Sequence, residues 1–430
     1  NSANFSVPGA GKTWMAYATY FLAKHGQELP RIDRLLVICP IAAMQVWEEE
    51  YEEITGNNSE DHCIRITKEQ LDGGYIPNLA RNKEIILINY DKIAGSSAPA
   101  FLAALELLVS NFRFYIILDE SHKIKNYEAP AKTGPNAAIL AQNHDGRRMI
   151  LTGTPMPNYL LGLWNQFHFL FPKQNVLDNY TQFKNRVYSN NSQFYAGAAY
   201  ALQETRTNED LHPYFIRVTD TQLDLPPADD PAVIECDMEK EQDEIVNTIS
   251  WRLAQNPENT AKFRAYSEWE RNLMYLIMAT TDPALLQDND DYERDLIDLG
   301  GVPLNQKIQE YRRGSPSGKL RALRSILQME LETNPNEKIL IWCNFRGTIT
   351  KVRQMIEQEF HVQVRTIDGS IKKDTEPTVL AKKEAILKEF KTCPDVKILI
   401  ANPASLAESV SLHQVCHLAI YVDRTFSAGN

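Results

Sequence analysis

Four short, almost wholly apolar runs constrain the fold of this chain more than any other feature of its sequence. Each run ends at a proline or a polar residue, and helix-like segments separate one run from the next. Strands without polar alternation are typical of a parallel sheet that is buried on both faces. The four predicted strands are Leu35–Cys39, Ile85–Ile88, Tyr115–Leu118 and Met149–Leu151.

A second set of apolar runs begins at residue 338 and repeats the alternation with helix-like segments. The stretch between the two sets, residues 173–310, is more polar and has the amphipathic spacing of helices. We therefore expect an α/β protein with two parallel-sheet lobes and a helical insertion between them. The later strands are predicted at Lys338–Trp342, Val364–Ile367, Lys397–Ala401 and Leu418–Val422, with a helix over Ile349–Phe360.

The segment Ser6–Thr13, which directly precedes a helix-like run, has the composition of a phosphate-binding loop. Glycines let backbone N–H groups turn towards an anion, and the following helix presents its positive N-terminal end to the same charge. In such loops the lysine contacts the β- and γ-phosphates of a nucleoside triphosphate, and the hydroxyl residue holds Mg²⁺. Ser6 stands where the usual pattern has glycine. The predicted nucleotide-binding residues are Pro8, Gly9, Ala10, Gly11, Lys12 and Thr13, with Thr13 also a metal ligand.

Two adjacent acids, Asp119 and Glu120, directly follow the apolar run Tyr115–Leu118. A carboxylate at that strand end can reach Mg²⁺ held by Thr13, and its neighbour can take a proton from the attacking water. Acidic residues also favour the first turn of a helix, which is the plainer explanation. Because a buried strand end tolerates charges only when they are paired, we predict Asp119 as metal ligand and Glu120 as general base. Lys12 completes the predicted catalytic set.

The segment Leu151–Pro155 again lies at a predicted strand end. Its two hydroxyl residues, Thr152 and Thr154, flank a glycine and can contact the acidic pair, which would transmit the state of the γ-phosphate. A plain turn is the alternative, because glycine and proline are common in loops of every kind.

In order and spacing, these motifs resemble those of superfamily 2 helicases. Gly-Ala-Gly-Lys-Thr is followed by Val37–Pro40 with Trp47 downstream, then by Asp-Glu-Ser-His-Lys-Ile-Lys-Asn at 119–126 and Leu-Thr-Gly-Thr-Pro-Met-Pro-Asn at 151–158. The tail of the acidic motif is similar to that of the Swi/Snf-type branch of double-stranded-DNA translocases, in particular its microbial members. The resemblance implies RecA-like lobes over 1–215 and 315–430, the helical insertion over 216–314, and ATP with Mg²⁺ as cofactors.

The resemblance also implies phosphate-directed, sequence-independent contacts with double-stranded DNA. Backbone groups at strand ends and several basic side chains are expected to make them, although each basic residue taken alone is more often part of a solvated face. Glu408 and Ser409 lie in the motif that touches both DNA and nucleotide in this family, here without its usual glycines. The expected DNA-contact and coupling residues are Pro40, Asn89, Tyr90, His122, Lys123, Lys125, Thr152, Thr154, Arg346, Glu408 and Ser409.

Two parts of the family pattern are not in this sequence. A glutamine-bearing segment that recognises adenine would precede the phosphate loop, and an arginine-bearing motif would follow the segment around Arg424. We therefore expect a truncated second lobe, within a fragment of a larger polypeptide or a chain with missing pieces. Without that arginine, the first lobe is expected to bind ATP but to hydrolyse it poorly.

The composition places only weak limits on the classes of partner that this protein can bind. The formal net charge of −11 argues mildly against a protein coated in basic residues, yet a local basic groove can still track nucleic acid. No apolar run is long enough to cross a bilayer, so no membrane partner is expected. We expect a cytoplasmic, nucleoid-associated protein, or a nuclear one in a eukaryote, with partner subunits in a larger DNA-processing or defence complex.

Two other functions fit the same motifs. One is a strand-separating DNA or RNA helicase, which shares the acidic motif and the Thr-Gly-Thr segment. Such a helicase would displace one strand of a duplex, whereas a translocase would displace the third strand of a triplex. A nucleotide-gated DNA-binding scaffold subunit with weak turnover would differ in showing no stimulation by DNA.

Overall fold

A computed structural model shows a chain that divides into two compact units, which meet in the sequence near residue 230. Within the described residues, the first unit contains a seven-stranded sheet and the second a four-stranded sheet, and every strand pair is parallel. These parallel sheets confirm the expected α/β class. The structure describes residues 1–26, 31–66, 82–94, 99, 101–105, 112–125, 136–137, 140, 144, 146–156, 160–174, 176–188, 198–223, 231–254, 264–287, 304–311, 316–368, 376–406, 412 and 414–424.

The first sheet contains all four strands predicted for this part of the chain. Each observed strand begins and ends within two residues of its predicted bounds. Its strands are β1 (Ser2–Asn4), β2 (Arg34–Cys39), β3 (Cys63–Arg65), β4 (Ile85–Asn89), β5 (Phe114–Asp119), β6 (Arg147–Leu151) and β7 (Phe215–Ile216). Their order is β3-β4-β2-β5-β6-β1-β7. Since β6 lies between β5 and β1, the segments that follow these three strands leave the same edge of the sheet side by side.

Helices cover both faces of this sheet, which explains why its strands lack polar alternation. In β2, Leu36 and Ile38 face one core and Leu35 and Val37 face the other. Among the described residues of the first unit, the helices include α1 (Lys12–His25), α2 (Ala43–Thr55), α3 (Ser59–His62), α4 (Gly162–Leu170), α5 (Tyr180–Tyr188) and α6 (Ala198–Leu211). Short 3₁₀ helices span Tyr90–Ile93, Ser121–Ile124, His212–Tyr214 and Asp220–Leu223.

The second unit combines a helical segment with the second sheet. The helical segment contains α7 (Lys240–Ala254), α8 (Arg264–Thr281), a 3₁₀ helix (Pro283–Leu286) and α9 (Leu304–Tyr311). The sheet region contains α10 (Gly318–Thr333), β8 (Lys338–Trp342), α11 (Arg346–Glu359), β9 (Gln363–Ile367), α12 (Glu376–Thr392), β10 (Val396–Ala401), α13 (Pro403–Leu406) and β11 (Cys416–Tyr421). The strand order of this sheet is β11-β8-β10-β9. An ion pair of 2.6 Å joins Arg321 of α10 to Glu239, which directly precedes α7. The division into domains at 215 and 314 remains a prediction.

No helix in the described part of the chain is both long enough and apolar enough to span a membrane.

Candidate nucleotide-binding site

The loop between β1 and α1 has the backbone geometry that phosphate binding requires. Gly9 and Gly11 have φ values of 82° and 70°, a left-handed conformation that favours glycine. Gly11 directly precedes α1 and no side chain caps that helix, so its first N–H groups are available to an anion. A loop of this form explains why two glycines stand at these positions.

Ser6, the residue that departs from the usual glycine, is held by its side chain. Its hydroxyl accepts a 3.0 Å hydrogen bond from the backbone N–H of Val218, and its own N–H donates to Oδ1 of Asn4 at 3.1 Å. Ser6 is fully buried and is not among the residues with positive φ. The position therefore uses a hydroxyl group and does not need the conformational freedom of glycine.

Asp119, the last residue of β5, is held by two hydrogen-bond donors. Its Oδ2 atom accepts from the indole Nε1 of Trp47 at 3.0 Å, and its Oδ1 atom accepts from the backbone N–H of Glu120, also at 3.0 Å. Burial and then the charge of Glu120 raise the pKa of Asp119 to about 6, while the bonds from Trp47 and Glu120 and the charge of Lys12 oppose this rise. The carboxylate is thus fixed in orientation and costly to ionise without a cation.

Glu120 has a strained backbone, because its φ of 52° places a non-glycine residue in the left-handed region. This conformation carries its side chain to the segment after β6, where the hydroxyl of Thr152 donates to Oε2 of Glu120 at 3.1 Å. Nδ1 of His122 lies 3.3 Å from the same Oε2 atom. Since such strain persists only where its surroundings enforce it, it is consistent with a functional position.

The segments after β5 and β6 are joined by hydrogen bonds, and the second of them lies against the phosphate loop. Nδ1 of His122 lies 3.0 Å from the hydroxyl oxygen of Thr152. A hydroxyl group has one proton, and that of Thr152 is donated to Glu120. A hydrogen bond between His122 and Thr152 therefore requires the His122 tautomer with a proton on Nδ1. The backbone N–H of Thr154 also donates to the Thr152 hydroxyl at 3.1 Å. A Cβ atom added at Gly153 would lie 3.1 Å from Cδ of Pro8. Glycine therefore permits the close approach of this segment to the phosphate loop.

Lys12 lies within electrostatic range of both acids. Burial lowers the pKa of Lys12, and the charges of Glu120 and Asp119 act against this lowering. Its Nζ atom donates to the carbonyl oxygens of Ser6 at 3.1 Å and Val7 at 3.2 Å. Lys12 and the adjacent pair Asp119 and Glu120, which are far apart in the sequence, are therefore close enough to interact electrostatically.

This arrangement fits a nucleoside triphosphate with Mg²⁺. Mg²⁺ prefers oxygen ligands, keeps several waters and is usually held by one or two protein groups together with substrate phosphates. Thr13 and Asp119 would supply a hydroxyl and a carboxylate to such an ion, and Lys12 would supply a cation for the phosphates. Among the described residues no group of three or more His, Cys, Asp or Glu side chains could hold a metal by itself.

Several residues hold the site together through contacts that were not predicted from the sequence. The hydroxyl of Tyr90 donates to the carbonyl of Asp119 at 2.6 Å, and Trp47 binds the carboxylate of the same residue. In α4, Gln166 binds the hydroxyl of Ser121 at 2.7 Å, and Asn165 donates to the carbonyl of Ile124 at 2.6 Å. The available signal for the last two was a pair of amide side chains within the otherwise apolar run of α4.

Apart from His122, Thr152 and Thr154, which belong to the cluster described above, the expected DNA-contact residues of the first unit form two groups that differ in burial. Pro40, Asn89 and Tyr90 are buried, which does not favour contacts of their side chains with DNA. Lys123 and Lys125 are half-buried beside the acidic pair, and burial followed by the charge of Lys123 lowers the pKa of Lys125.

The last three residues of that prediction, Arg346, Glu408 and Ser409, belong to the second half of the chain. Arg346 is exposed and is the first residue of α11 in the second unit. Glu408 and Ser409 lie outside the described residues.

A second polar cluster, also not predicted, lies at the ends of β8, β10 and β11. Asp423 is almost fully buried and accepts hydrogen bonds from the backbone N–H of Asn344 and, at 2.8 Å, from the hydroxyl of Thr348. Burial raises the pKa of Asp423, against these hydrogen bonds and the charge of Lys319. The side chain of Asn402 donates to the carbonyl of Asn344 at 2.7 Å, which ties β10 to the same cluster.

Comparisons with known proteins point to one family. A family model described as "SNF2-related domain" matches residues 7–282, more than half of the chain. The ATP-dependent helicase fft1 of Schizosaccharomyces pombe is 23% identical over 451 residues, covering 97% of this chain and 45% of that protein. The probable ATP-dependent DNA helicase CHR12 of Arabidopsis thaliana is 28% identical over 158 residues, covering 36% of this chain and 13% of that protein. This chain spans less than half the length of either curated relative.

Among solved structures, the "Sulfolobus solfataricus SWI2/SNF2 ATPase core in complex with dsDNA" matches with 18% identity and a TM-score of 0.41, covering 98% of this chain and 82% of that one.

Proposed function

The chain belongs to the SNF2-related family, as its motifs predicted, and from this premise we propose that it is an ATP-driven motor that moves along double-stranded DNA. The observation that carries the proposal is the cluster of Lys12, Asp119, Glu120 and Thr152 at one edge of the first sheet. A cation, two acids and a hydroxyl in one site suit the hydrolysis of a nucleoside triphosphate.

Each residue of the cluster has a distinct part in this proposal. Lys12 neutralises charge on the β- and γ-phosphates, and the backbone N–H groups at the start of α1 bind the same phosphates. Thr13 and Asp119 hold Mg²⁺, which when bound offsets the charge that develops in the transition state. Glu120 accepts the proton of the attacking water, a role that typically contributes about 10² to 10⁴ in rate.

Thr152 and His122 keep the Glu120 carboxylate in place for this role. Both lie within 3.3 Å of its Oε2 atom, and both come from segments expected to sense DNA. The backbone N–H of Lys123 also donates to the carbonyl of Glu120 at 3.0 Å. The residue proposed to bind a DNA phosphate and the general base therefore belong to one turn of the backbone, and this closeness supports DNA-stimulated turnover.

The proposed partner is the phosphate backbone of duplex DNA, contacted without regard to sequence. We extend the proposal to partner subunits of a larger DNA-processing or defence assembly, on the basis of the microbial character of the acidic motif. Translocation differs from strand separation in its product, because a translocase displaces the third strand of a triplex but leaves the duplex paired.

The decisive experiment measures ATP hydrolysis by the complete polypeptide that contains this chain, with and without duplex DNA. We expect DNA to raise turnover in the wild type, and Glu120→Gln to retain ATP binding while losing at least about 100-fold in turnover. Turnover that DNA does not change would support the nucleotide-gated scaffold instead. Normal turnover in Glu120→Gln would assign the general base to another residue.

A further inference from the structure

Gln166 is a polar side chain at a fully buried position in α4, where it meets two segments of the nucleotide site. Its Oε1 atom accepts a 2.7 Å hydrogen bond from the hydroxyl of Ser121. Its Nε2 atom donates to the carbonyl of Pro155 at 2.7 Å and to that of Gly162 at 3.2 Å. Both ends of the amide are thus paired, and the two partners outside α4 belong to different loops.

These two loops carry the residues that the proposed chemistry needs to keep together. Ser121 directly follows Glu120, and Pro155 directly follows Thr154. The hydrogen bond from Thr152 to Glu120 spans the same pair of loops at 3.1 Å. The amide of Gln166 therefore joins, from the core side, the same two segments that Thr152 and Glu120 join at the site.

We propose that Gln166 is a positioning residue that sets the spacing between the acidic loop and the Thr-Gly-Thr loop, and so the position of Glu120 relative to Thr152. The proposal rests on the function proposed above, because it assigns Gln166 a part in that reaction. Gln166 contacts neither substrate nor metal ligands and acts only through Ser121 and Pro155.

The neighbouring residue strengthens this assignment. Asn165 donates to the carbonyl of Ile124 at 2.6 Å, so the 3₁₀ helix that follows Glu120 is tied to α4 at both ends. An apolar side chain at position 166 would fill the same space without the cost of burying an amide. What the amide adds is geometric, since one rigid planar group fixes a hydroxyl and a carbonyl from two loops at once.

Gln166→Met tests the proposal, because methionine has a similar length and is apolar. We expect kcat to fall about tenfold with KM for ATP unchanged within about twofold, since the interaction lost orients a catalytic group and does not bind substrate. Ser121→Ala is expected to give a smaller fall in kcat, and the double variant no more than Gln166→Met alone, because both act through one contact. Leu170→Val, at a buried position of the same helix away from both loops, is the control for general loss of stability.

Hydrogen exchange provides a measurement that does not depend on turnover. Loss of the two bonds should speed amide exchange about tenfold at Lys123, Lys125, Thr152 and Thr154, and Leu170→Val should leave these amides unchanged. Exchange as slow in Gln166→Met as in the wild type, or a fall in kcat matched by Leu170→Val, would overturn the proposal. A wild type without ATPase activity would contradict the proposed function, while the exchange rates would still decide whether Gln166 holds the two loops.

Discussion

The indole Nε1 of Trp47 donates a 3.0 Å hydrogen bond to Oδ2 of Asp119, which links α2 to the end of β5 inside the nucleotide site. Trp47 is itself fixed, because it is fully buried and its carbonyl accepts a 2.7 Å hydrogen bond from the hydroxyl of Tyr17 in α1. The two rings meet edge to face, with centroids 5.1 Å apart. The helix that follows the phosphate loop therefore positions the predicted metal ligand through one tryptophan.

Trp47→Phe should raise the Mg²⁺ concentration needed for half-maximal ATPase activity by about tenfold, which is the size expected for one charge-assisted hydrogen bond. Phenylalanine keeps most of the aromatic packing and removes only the donor to Asp119. A titration of Mg²⁺ at fixed ATP measures the effect. Trp164→Phe is the matched control, since it removes a similar indole bond of 3.1 Å, to the carbonyl of Asp178. An equal shift in both variants would mean that the bond to Asp119 has no special role.

Asp119 should make the stability of the metal-free protein depend on pH. Folding raises the pKa of Asp119 from 3.8 to about 6. The neutral carboxyl group therefore stabilises the folded state fully at a pH below 3.8, and this contribution is lost as the pH rises through about 6. Asp119→Asn, which cannot ionise, should therefore gain stability relative to the wild type across that window, by about 3 kcal/mol at most. Urea unfolding in EDTA at about pH 4 and about pH 8 measures the difference between the two proteins. A difference that does not change with pH would contradict the raised pKa.

Ser6→Ala should lower the free energy of unfolding by about 0.5 to 1.5 kcal/mol, because the half-buried N–H of Val218 would lose its hydrogen bond to the Ser6 hydroxyl. Ser6→Gly should be no more stable than Ser6→Ala, since the position does not use a positive φ. Chemical denaturation gives these values, with the exposed Thr181→Ala in α5 as a control that should change little. A Ser6→Gly variant more stable than the wild type would show that the usual glycine suits this loop better.

Lys123→Ala with Lys125→Ala should weaken DNA binding and reduce the salt dependence of its affinity. Each lost phosphate contact reduces the slope of log K against log salt by about 0.9, so the double variant should lose about 2. Binding measured over a series of salt concentrations tests this, and ATP binding should remain normal. Lys173→Ala, an exposed residue of the same unit, should leave the slope as it is. An unchanged slope in the double variant would remove both lysines from the set of DNA contacts.

The sequence predicted the strands of this fold well, because a strand buried on both faces must be apolar along its whole length. All four long strands of the first sheet and all four of the second were found within two residues of their observed ends. The short strands β1, β3 and β7 were not predicted, since runs of two or three residues carry too little periodicity to distinguish a strand from a loop. Their pairing partners in the sheet, far away in the sequence, decide that they are strands.

The sequence by itself also determined the chemical inventory of the candidate site, because the phosphate and Mg²⁺ binding that we propose restricts which residue types can stand at the ends of particular strands. Only the tertiary structure decided how that inventory is held: the hydroxyl of Ser6 on Val218, the indole of Trp47 on Asp119, and the amide of Gln166 between two loops. Local sequence specifies a strand, a turn or a charge, since those depend on neighbours along the chain. A hydrogen bond between residues tens or hundreds of positions apart depends on the order of the strands, which no single segment encodes.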